Sequence, residues 1–221
     1  METIGIVDYV QSAVDYALSG ESRLPREVLE IEGLTGLHIR NLLNRICQTP
    51  MPAVRYLEVG LWKGASFTSA MYDNAGTFVG IDNFALDHTP KNATKEQIIK
   101  QVKDQMRKYG NGQATLIERD CFAVKVRDLL PYGPFDIFYY DGSHLKVCQE
   151  MALTHFYSVL ANECIYMCDD WNSEEVREGT RAGLKKIPFQ VLKEWEFFTH
   201  RRGITASWWN GFYVCALRWD L

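Results

Sequence analysis

The sequence has no apolar run that approaches the roughly 18 residues needed to span a bilayer. It also has no basic leader, because its first residues carry acids at Glu2, Asp8 and Asp15. Dense blocks of Lys and Arg are missing, and the net charge is −4, which disfavours a nucleic-acid backbone or an anionic membrane as the main partner. We therefore expect a soluble, cytoplasmic protein that binds neither nucleic acid nor membrane.

Paired cysteine motifs are missing too. The six cysteines contain no C-x-x-C pair, and without an export signal they are expected to be reduced, mostly buried thiols. A chain of 221 residues that is 47% hydrophobic and 24% charged can bury a core without disulfides or metal. These values exclude a disordered, collagen-like or coiled-coil chain and predict a single domain over residues 1–221.

Residues 1–50 predict a helical N-terminal extension. Apolar residues recur at helical spacing over 4–14 and again over 37–46. A turn-forming segment at 19–25 separates the two helices, and prolines close the extension. A homodimer formed through these helices is a hypothesis that the sequence does not test.

From residue 54 the pattern changes to short apolar runs of strand length, separated by longer helical stretches. Thr94 and Gln97 form a capping box that opens one of these helices. Strands that alternate with helices are typical of a parallel sheet built from βαβ units. The predicted strands are 54–59, 77–82, 114–118, 135–140 and 163–168.

The end of the chain differs, because no helix separates its two aromatic-rich runs at 191–198 and 211–219. We therefore predict an antiparallel hairpin added to the edge of the sheet. Together with five parallel strands it makes an α/β fold with a Rossmann-like sheet of seven strands over residues 54–221. Trp208 and Trp209, in the hairpin loop at 200–210, can close over a substrate or pack on the N-terminal helices or a partner subunit.

A motif that begins at Glu58 forms the turn after the first predicted strand. Its glycines are spaced so that a ligand can bind there. Gly60 allows a sharp turn, Gly64 allows a ligand to approach the next helix, and Ser66 can cap that helix or bond the ligand. The same turn can serve packing alone, and it is not the G-x-G-x-x-G of dinucleotide sites. Asp82 ends the second strand, where an acid can accept the ribose hydroxyls of a nucleoside or cap a turn.

The segment after the third strand places three more candidates beside the base of such a nucleoside. Cys121 or Phe122 would lie against one face of the base, and Asp120 near its exocyclic amine. A polar loop with one packed Phe explains these residues equally well.

Three aspartates follow the fourth and fifth strands: Asp141, Asp169 and Asp170. Their charges repel unless a cation neutralises them, and Mg²⁺, Mn²⁺ or Ca²⁺ prefers such carboxylates. Capping of the following helices is the alternative explanation. His144 lies on the same lip, where an imidazole can take a proton from a substrate hydroxyl, although a lone histidine is also commonly structural.

The segments LEVGLWKGAS, GIDNF, FYYDGSH and CDDWN together resemble the class I S-adenosylmethionine-dependent methyltransferases. Within that class they are similar to the metal-dependent O-methyltransferases of the catechol and macrocin types. The resemblance extends from residue 54 to about 172, just over half of the chain.

The resemblance implies a role for each candidate. His144 would act as the base, and Ser143 departs from the aspartate that macrocin-type enzymes carry there. The acceptor would be a small molecule with adjacent oxygens, such as a catechol, a phenol or a sugar diol. The implied contacts are Glu58, Gly60 and Ser66 to the methionine portion of the cofactor, Asp82 to the ribose, Cys121 and Phe122 to the adenine, and Asp141, Asp169 and Asp170 to Mg²⁺ or another divalent cation.

Two other functions remain open at this stage. A non-catalytic protein that binds S-adenosylmethionine or a partner is compatible with Ser143 and with the unusual Trp62 and Lys63 in the glycine turn. An NAD-dependent oxidoreductase would use the same sheet and Asp82, but it lacks the third glycine and leaves the aspartates unexplained.

Overall fold

The computed structural model describes residues 5–48, 53–85, 93–111, 113–199 and 208–220. Glu2, the start of the first predicted helix at residue 4, the end of the extension at 49–50 and the loop residues 200–207 lie outside the described residues.

Helices and strands alternate along the described chain. The α-helices are α1 (Ile6–Leu18), α2 (Arg26–Leu29), α3 (Leu37–Ile46), α4 (Ala65–Met71), α5 (Lys95–Tyr109), α6 (Lys146–Phe156) and α7 (Glu174–Leu184). The strands are β1 (Val54–Val59), β2 (Gly76–Asp82), β3 (Ala114–Glu118), β4 (Phe135–Tyr140), β5 (Leu160–Asp169), β6 (Phe189–Phe197) and β7 (Phe212–Trp219). Short 3₁₀ helices occupy Cys121–Ala123, Val126–Asp128 and Tyr157–Val159.

The strands form one seven-stranded sheet in the order β3-β2-β1-β4-β5-β7-β6. Strands β1 to β5 are parallel, whereas β7 runs antiparallel to both β5 and β6. This confirms the predicted fold of five parallel strands and a C-terminal hairpin. The strand order reverses between β1 and β4, and ligands of open α/β sheets bind outside the carboxyl ends at such a point.

Several elements differ from the sequence prediction, among them β6, which starts at Phe189 rather than at residue 191. The four-residue helix α2 was not predicted, because it is too short to show a helical period and buries a single residue, Val28. Strand β5 starts at Leu160 rather than at residue 163, because helix α6 already ends at Phe156. The capping box was predicted correctly, since the Thr94 and Gln97 side chains each bond the other's backbone N–H at the start of α5.

Both faces of the sheet are covered. One face packs against α1, α3, α4 and α5, and the other against α6 and α7. Alternation along each strand sends neighbouring residues to opposite faces, so Tyr139 lies in the first core and Tyr140 in the second.

The N-terminal extension is tied to the sheet layer by a buried amide. Asn44 on α3 donates hydrogen bonds from Nδ2 to the carbonyls of Ser69 and Tyr72, each at 2.8 Å. These carbonyls belong to the C-terminal turn of α4, where helix carbonyls lack intrahelical partners. Asn74 returns a hydrogen bond to the Asn44 carbonyl at 2.9 Å. The extension therefore completes the end of a helix that borders the site.

All six cysteines are free thiols, of which Cys121 and Cys148 are half-buried and the others buried. None of the described helices has both the length and the apolar character of a membrane span.

Replacing Asn44 with Leu is expected to lower the free energy of unfolding by about 1–3 kcal/mol, because two buried carbonyls lose their donor. Urea denaturation followed by circular dichroism measures this change. Gln48→Leu is the control, since Gln48 is exposed just after the same helix and its loss should cost less than about 0.5 kcal/mol. Equal stability of both variants would contradict the proposed role of Asn44.

Candidate active site

A cavity of about 880 Å³ opens at the carboxyl ends of β1, β2, β4 and β5. This is the edge at which the sequence analysis expected a ligand. The predicted residues that line the cavity are Gly60, Ser66, Asp82, Asp141, His144, Asp169 and Asp170. Glu58, Gly64, Asp120, Cys121 and Phe122 do not line it.

Gly60 joins two strand ends at the floor of the cavity. Its φ is +90°, and a Cβ at this position would lie only 1.9 Å from the carbonyl oxygen of Asp141. The Asp141 amide donates to the Val59 carbonyl at 2.8 Å, which continues the β1–β4 pairing past the end of the strands. A glycine is therefore required for the turn after β1 to touch the turn after β4.

Glu58 lies beneath the cavity and is fully buried. Its Oε1 accepts a hydrogen bond from Ser66 and its Oε2 one from Tyr56, both at 2.5 Å. Burial raises the pKa of Glu58 to about 8, and the two hydrogen bonds offset part of that shift. Glu58 therefore reaches the cavity through Ser66 and not directly.

Gly64 supports helix packing. Its φ is +80°, and a Cβ there would lie 2.4 Å from Oε1 of Gln105 on α5. The lack of a side chain at this position allows α5 to approach the start of α4. A contact between Gly64 and a ligand stays a prediction.

Asp82 uses much of its carboxylate to hold the turn after β1. Its Oδ2 accepts the backbone N–H groups of Leu61 and Trp62 at 2.7 and 2.8 Å, and its Oδ1 accepts that of Phe84 at 2.6 Å. A carboxylate has about four acceptor positions, so roughly one is left for a ribose hydroxyl. Trp62 itself has a φ of +45°, a conformation that the Asp82 bonds help to maintain.

Asp120, Cys121 and Phe122 form a separate turn. Asp120 accepts the Phe122 amide at 2.8 Å and thereby caps the 3₁₀ helix, while the Phe122 ring packs edge-on against His155 with centroids 6.0 Å apart. Their contact with an adenine stays a prediction, since the described cavity does not reach them.

Acidic and imidazole groups converge where β4 and β5 end. Asp141, His144 and Asp170 each offer an atom that can bind a metal, and these atoms lie within 4.8 Å of one another. Asp169 also lines the cavity, and its Oδ1 is buried without a hydrogen-bond partner among the described residues. The geometry thus adds His144 to the predicted carboxylates and puts Asp169 outside the closest trio.

The electrostatics of this cluster suit a cation. Burial raises the pKa of Asp141 and of Asp169 well above the usual range, and the neighbouring carboxylates raise both further. The His144 Nε2 lies 2.8 Å from Oδ2 of Asp170, and this hydrogen bond raises the pKa of His144. Carboxylates that cannot all ionise without help, next to an unpartnered buried oxygen, fit a divalent cation.

The loop that carries His144 is anchored from behind by Gln149, which is buried on α6. Gln149 donates to the Ser143 carbonyl at 3.1 Å, and its Oε1 accepts from Cys168 and Thr180 at 3.2 and 3.3 Å. One amide therefore connects the His144 loop to the end of β5, next to Asp169.

The outer walls contain residues that the sequence analysis missed. Gly33, Leu34 and Thr35 line the cavity, because Gly33 packs against Ala65 and Glu32 pairs with Lys63 at 2.5 Å. The glycines at 33 and 36 were the available signal, but they indicate a turn and not its destination.

The two tryptophans of the hairpin loop lie in different places, one at the cavity and one against the N-terminal helices. Trp209 lines the cavity. Trp208 is buried, stacks on Phe197 with centroids 3.9 Å apart, and lies 5.3 Å from the ring of His38 on α3. The hairpin thus reaches both the site and the N-terminal helices.

Comparison with known families decides the class of this site. A family model described as a methyltransferase domain matches residues 57–171, more than half of the chain. The chain belongs to this methyltransferase family. The matched segment runs from the end of β1 to just past the Asp169–Asp170 pair, so it includes the cavity floor and the acidic cluster.

Solved structures share the fold of this methyltransferase at low identity. The SAH-bound methyltransferase PaMTH1 of Podospora anserina is 15% identical with a TM-score of 0.55, over 99% of this chain and 90% of that one. The O-methyltransferase of Bacillus cereus in complex with SAH is 13% identical with a TM-score of 0.55, over 97% and 92%. TomG of Streptomyces achromogenes, an O-methyltransferase in complex with SAM, is 14% identical with a TM-score of 0.50, over 96% and 89%.

No curated protein matches the chain in sequence. The family match confirms the methyltransferase resemblance, and the solved structures confirm the Rossmann-like fold. Membership of this family favours methyl transfer over the NAD-dependent oxidoreductase considered from the sequence.

Glu58→Gln is expected to remove a pH dependence of the methyltransferase's stability. The folded pKa of Glu58 lies near 8, above its ordinary value of 4.5, so its protonation stabilises the folded state fully below pH 4.5. That contribution is lost as pH rises to 8, on the order of a few kcal/mol.

Urea denaturation between pH 5 and 9 measures this effect. The free energy of unfolding should fall more steeply with pH in the wild type than in Glu58→Gln. Parallel curves for the two proteins would show that Glu58 is ionised in the fold at neutral pH.

Proposed function

We propose that this chain transfers a methyl group from S-adenosylmethionine to a hydroxyl oxygen of a small molecule with adjacent oxygens, with the help of a divalent cation. One observation carries the proposal. The turn after β1 and the cluster of Asp141, His144 and Asp170 open into the same cavity.

The cofactor is supported by the turn and by the relatives. Gly60, Ser66 and Asp82 line one side of the cavity, and the related solved structures contain SAH or SAM. A volume of about 880 Å³ lies at the upper end of the range for ligand sites, so it has room for a nucleoside cofactor and a small acceptor.

The acidic cluster supports the cation. Asp141, Asp169 and Asp170 would hold Mg²⁺ or a similar ion, with His144 within reach of the same position. A bound cation would supply positive charge that lowers the pKa of an acceptor hydroxyl and orients two adjacent oxygens.

We assign the proton transfer to His144. Its side chain is 53% exposed, so an acceptor can reach it, and Asp170 stabilises its protonated form. Bound S-adenosylmethionine would supply the methyl group on a sulfonium. Its transfer to the deprotonated acceptor oxygen would break the methyl–sulfur bond, release S-adenosylhomocysteine and remove one charge of each sign. A partly desolvated cavity favours that charge loss. A catechol is the first acceptor to test, because Trp62, Trp209 and Leu34 line the outer part of the cavity.

Calorimetry tests the proposal directly. S-adenosylmethionine is titrated into protein treated with EDTA, and a catechol is then titrated with and without Mg²⁺. We expect micromolar cofactor binding without metal and catechol binding only with metal. No cofactor binding would refute the proposal, and cofactor binding without any methyl transfer would favour the non-catalytic alternative.

The variants Asp141→Asn and Asp170→Asn are each expected to abolish stimulation of methyl transfer by Mg²⁺, because each removes a carboxylate from the cluster. Transfer of a radiolabelled methyl group across a Mg²⁺ titration measures this. Asp128→Asn, at an exposed position that does not line the cavity, should respond to Mg²⁺ like the wild type. Unchanged stimulation in both cluster variants would place the cation elsewhere.

His144→Gln is expected to lower kcat about 10²- to 10⁴-fold, because the acceptor proton loses its base. The dissociation constant of S-adenosylmethionine should stay the same. His155→Gln is the matched control, since His155 does not line the cavity. A kcat within twofold of the wild type would rule out His144 as the base.

A further inference from the structure

Tyr139 is a buried residue of β4 that has no role in the chemistry proposed above. It is fully buried, pairs in register with Glu58 of β1 and Met167 of β5, and lies two residues before Asp141. Alternation along the strand gives Tyr139 and Asp141 the same side of the sheet.

The Tyr139 hydroxyl contacts one of the aspartates. It donates to Oδ2 of Asp141 at 3.3 Å. Asp141 belongs to the trio whose ligand atoms lie within 4.8 Å of one another, so the phenol bonds a member of the acidic cluster directly.

The ring of Tyr139 is held in place. It packs against Phe212 at the start of β7, with centroids 5.6 Å apart and a tilt of 53°. A tyrosine hydroxyl carries one proton that it can donate. It is therefore a fixed hydrogen-bond donor at the base of the acidic cluster.

We infer that Tyr139 is a positioning residue for the cation site, and that its hydroxyl holds the carboxylate of Asp141 in place beside Asp169, at the ends of β4 and β5. The inference rests on the proposed function, because it requires a cation at these carboxylates. Without the hydroxyl, the Asp141 carboxylate would lose its donor, and repulsion from Asp169 could turn it away from the cluster. Groups that orient metal ligands in this way typically change metal affinity by about 10- to 100-fold.

Tyr139→Phe removes the hydroxyl and keeps the ring. The matched control is Tyr140→Phe in the same strand, because Tyr140 faces the other core and its hydroxyl lies near the thiols of Cys121, Cys148 and Cys168. The dissociation constants of Mn²⁺ and of S-adenosylmethionine are measured by calorimetry on the full chain without an acceptor.

We expect Tyr139→Phe to weaken Mn²⁺ binding by about 10-fold or more and to leave S-adenosylmethionine binding unchanged. Tyr140→Phe should bind both like the wild type. Thermal melts with and without Mn²⁺ provide a second measurement, since the rise in Tm caused by Mn²⁺ should be smaller in Tyr139→Phe even if that variant is less stable.

Two results would overturn the inference alone. The first is wild-type Mn²⁺ affinity in Tyr139→Phe. The second is an equal loss of Mn²⁺ and S-adenosylmethionine binding, which would indicate a general disturbance. If the wild type itself binds no Mn²⁺, the cation part of the proposed function fails, and the role of Tyr139 fails with it.

Discussion

Repulsion among buried carboxylates is the constraint around which this structure is organised. Parallel strands bring their carboxyl ends to one edge. Here Asp141 directly follows β4, Asp169 ends β5, and Glu58 lies under the neighbouring turn. Each carboxylate raises the free energy needed to ionise the others. A domain stabilised only by packing would avoid this penalty. The fold tolerates this arrangement because helices pack on both faces of the sheet and hold the strand ends in place.

The supports of the site come from distant parts of the chain. Asn44 on α3 completes the end of α4, Gln149 on α6 holds the His144 loop, and Phe212 of β7 packs on Tyr139. A binding site that must keep like charges close benefits from such rigid surroundings, since small displacements would relieve the repulsion. The N-terminal extension and the C-terminal hairpin are thus structural parts of the site as well as its walls.

The sequence predicted the parts of the molecule that depend on the spacing of apolar residues and on where the strands end. Alternating apolar runs sufficed for the seven strands, and the rule that parallel strands end on one edge sufficed to bring Asp141 and Asp170 together. Predictions were weaker for the turn after β1, where the bonds between side chain and backbone follow no sequence motif. The three amides held by Asp82 depend on a turn in which Trp62 takes a positive φ, and no periodicity reports that conformation. The part of the cavity wall at residues 33–35 was not predicted, because packing on α4 sets its position.

The contact between Gly60 and the Asp141 carbonyl has a consequence for acceptor choice. Main chain touches main chain there, without a side chain that could change rotamer to widen the gap. The separation between the turn after β1 and the acidic strand end is therefore set by the backbone of the sheet. An acceptor that is longer or bulkier cannot be accommodated by spreading these two ends. Room for such an acceptor must come from the outer walls, where the side chains of Leu34 and Trp209 can rearrange.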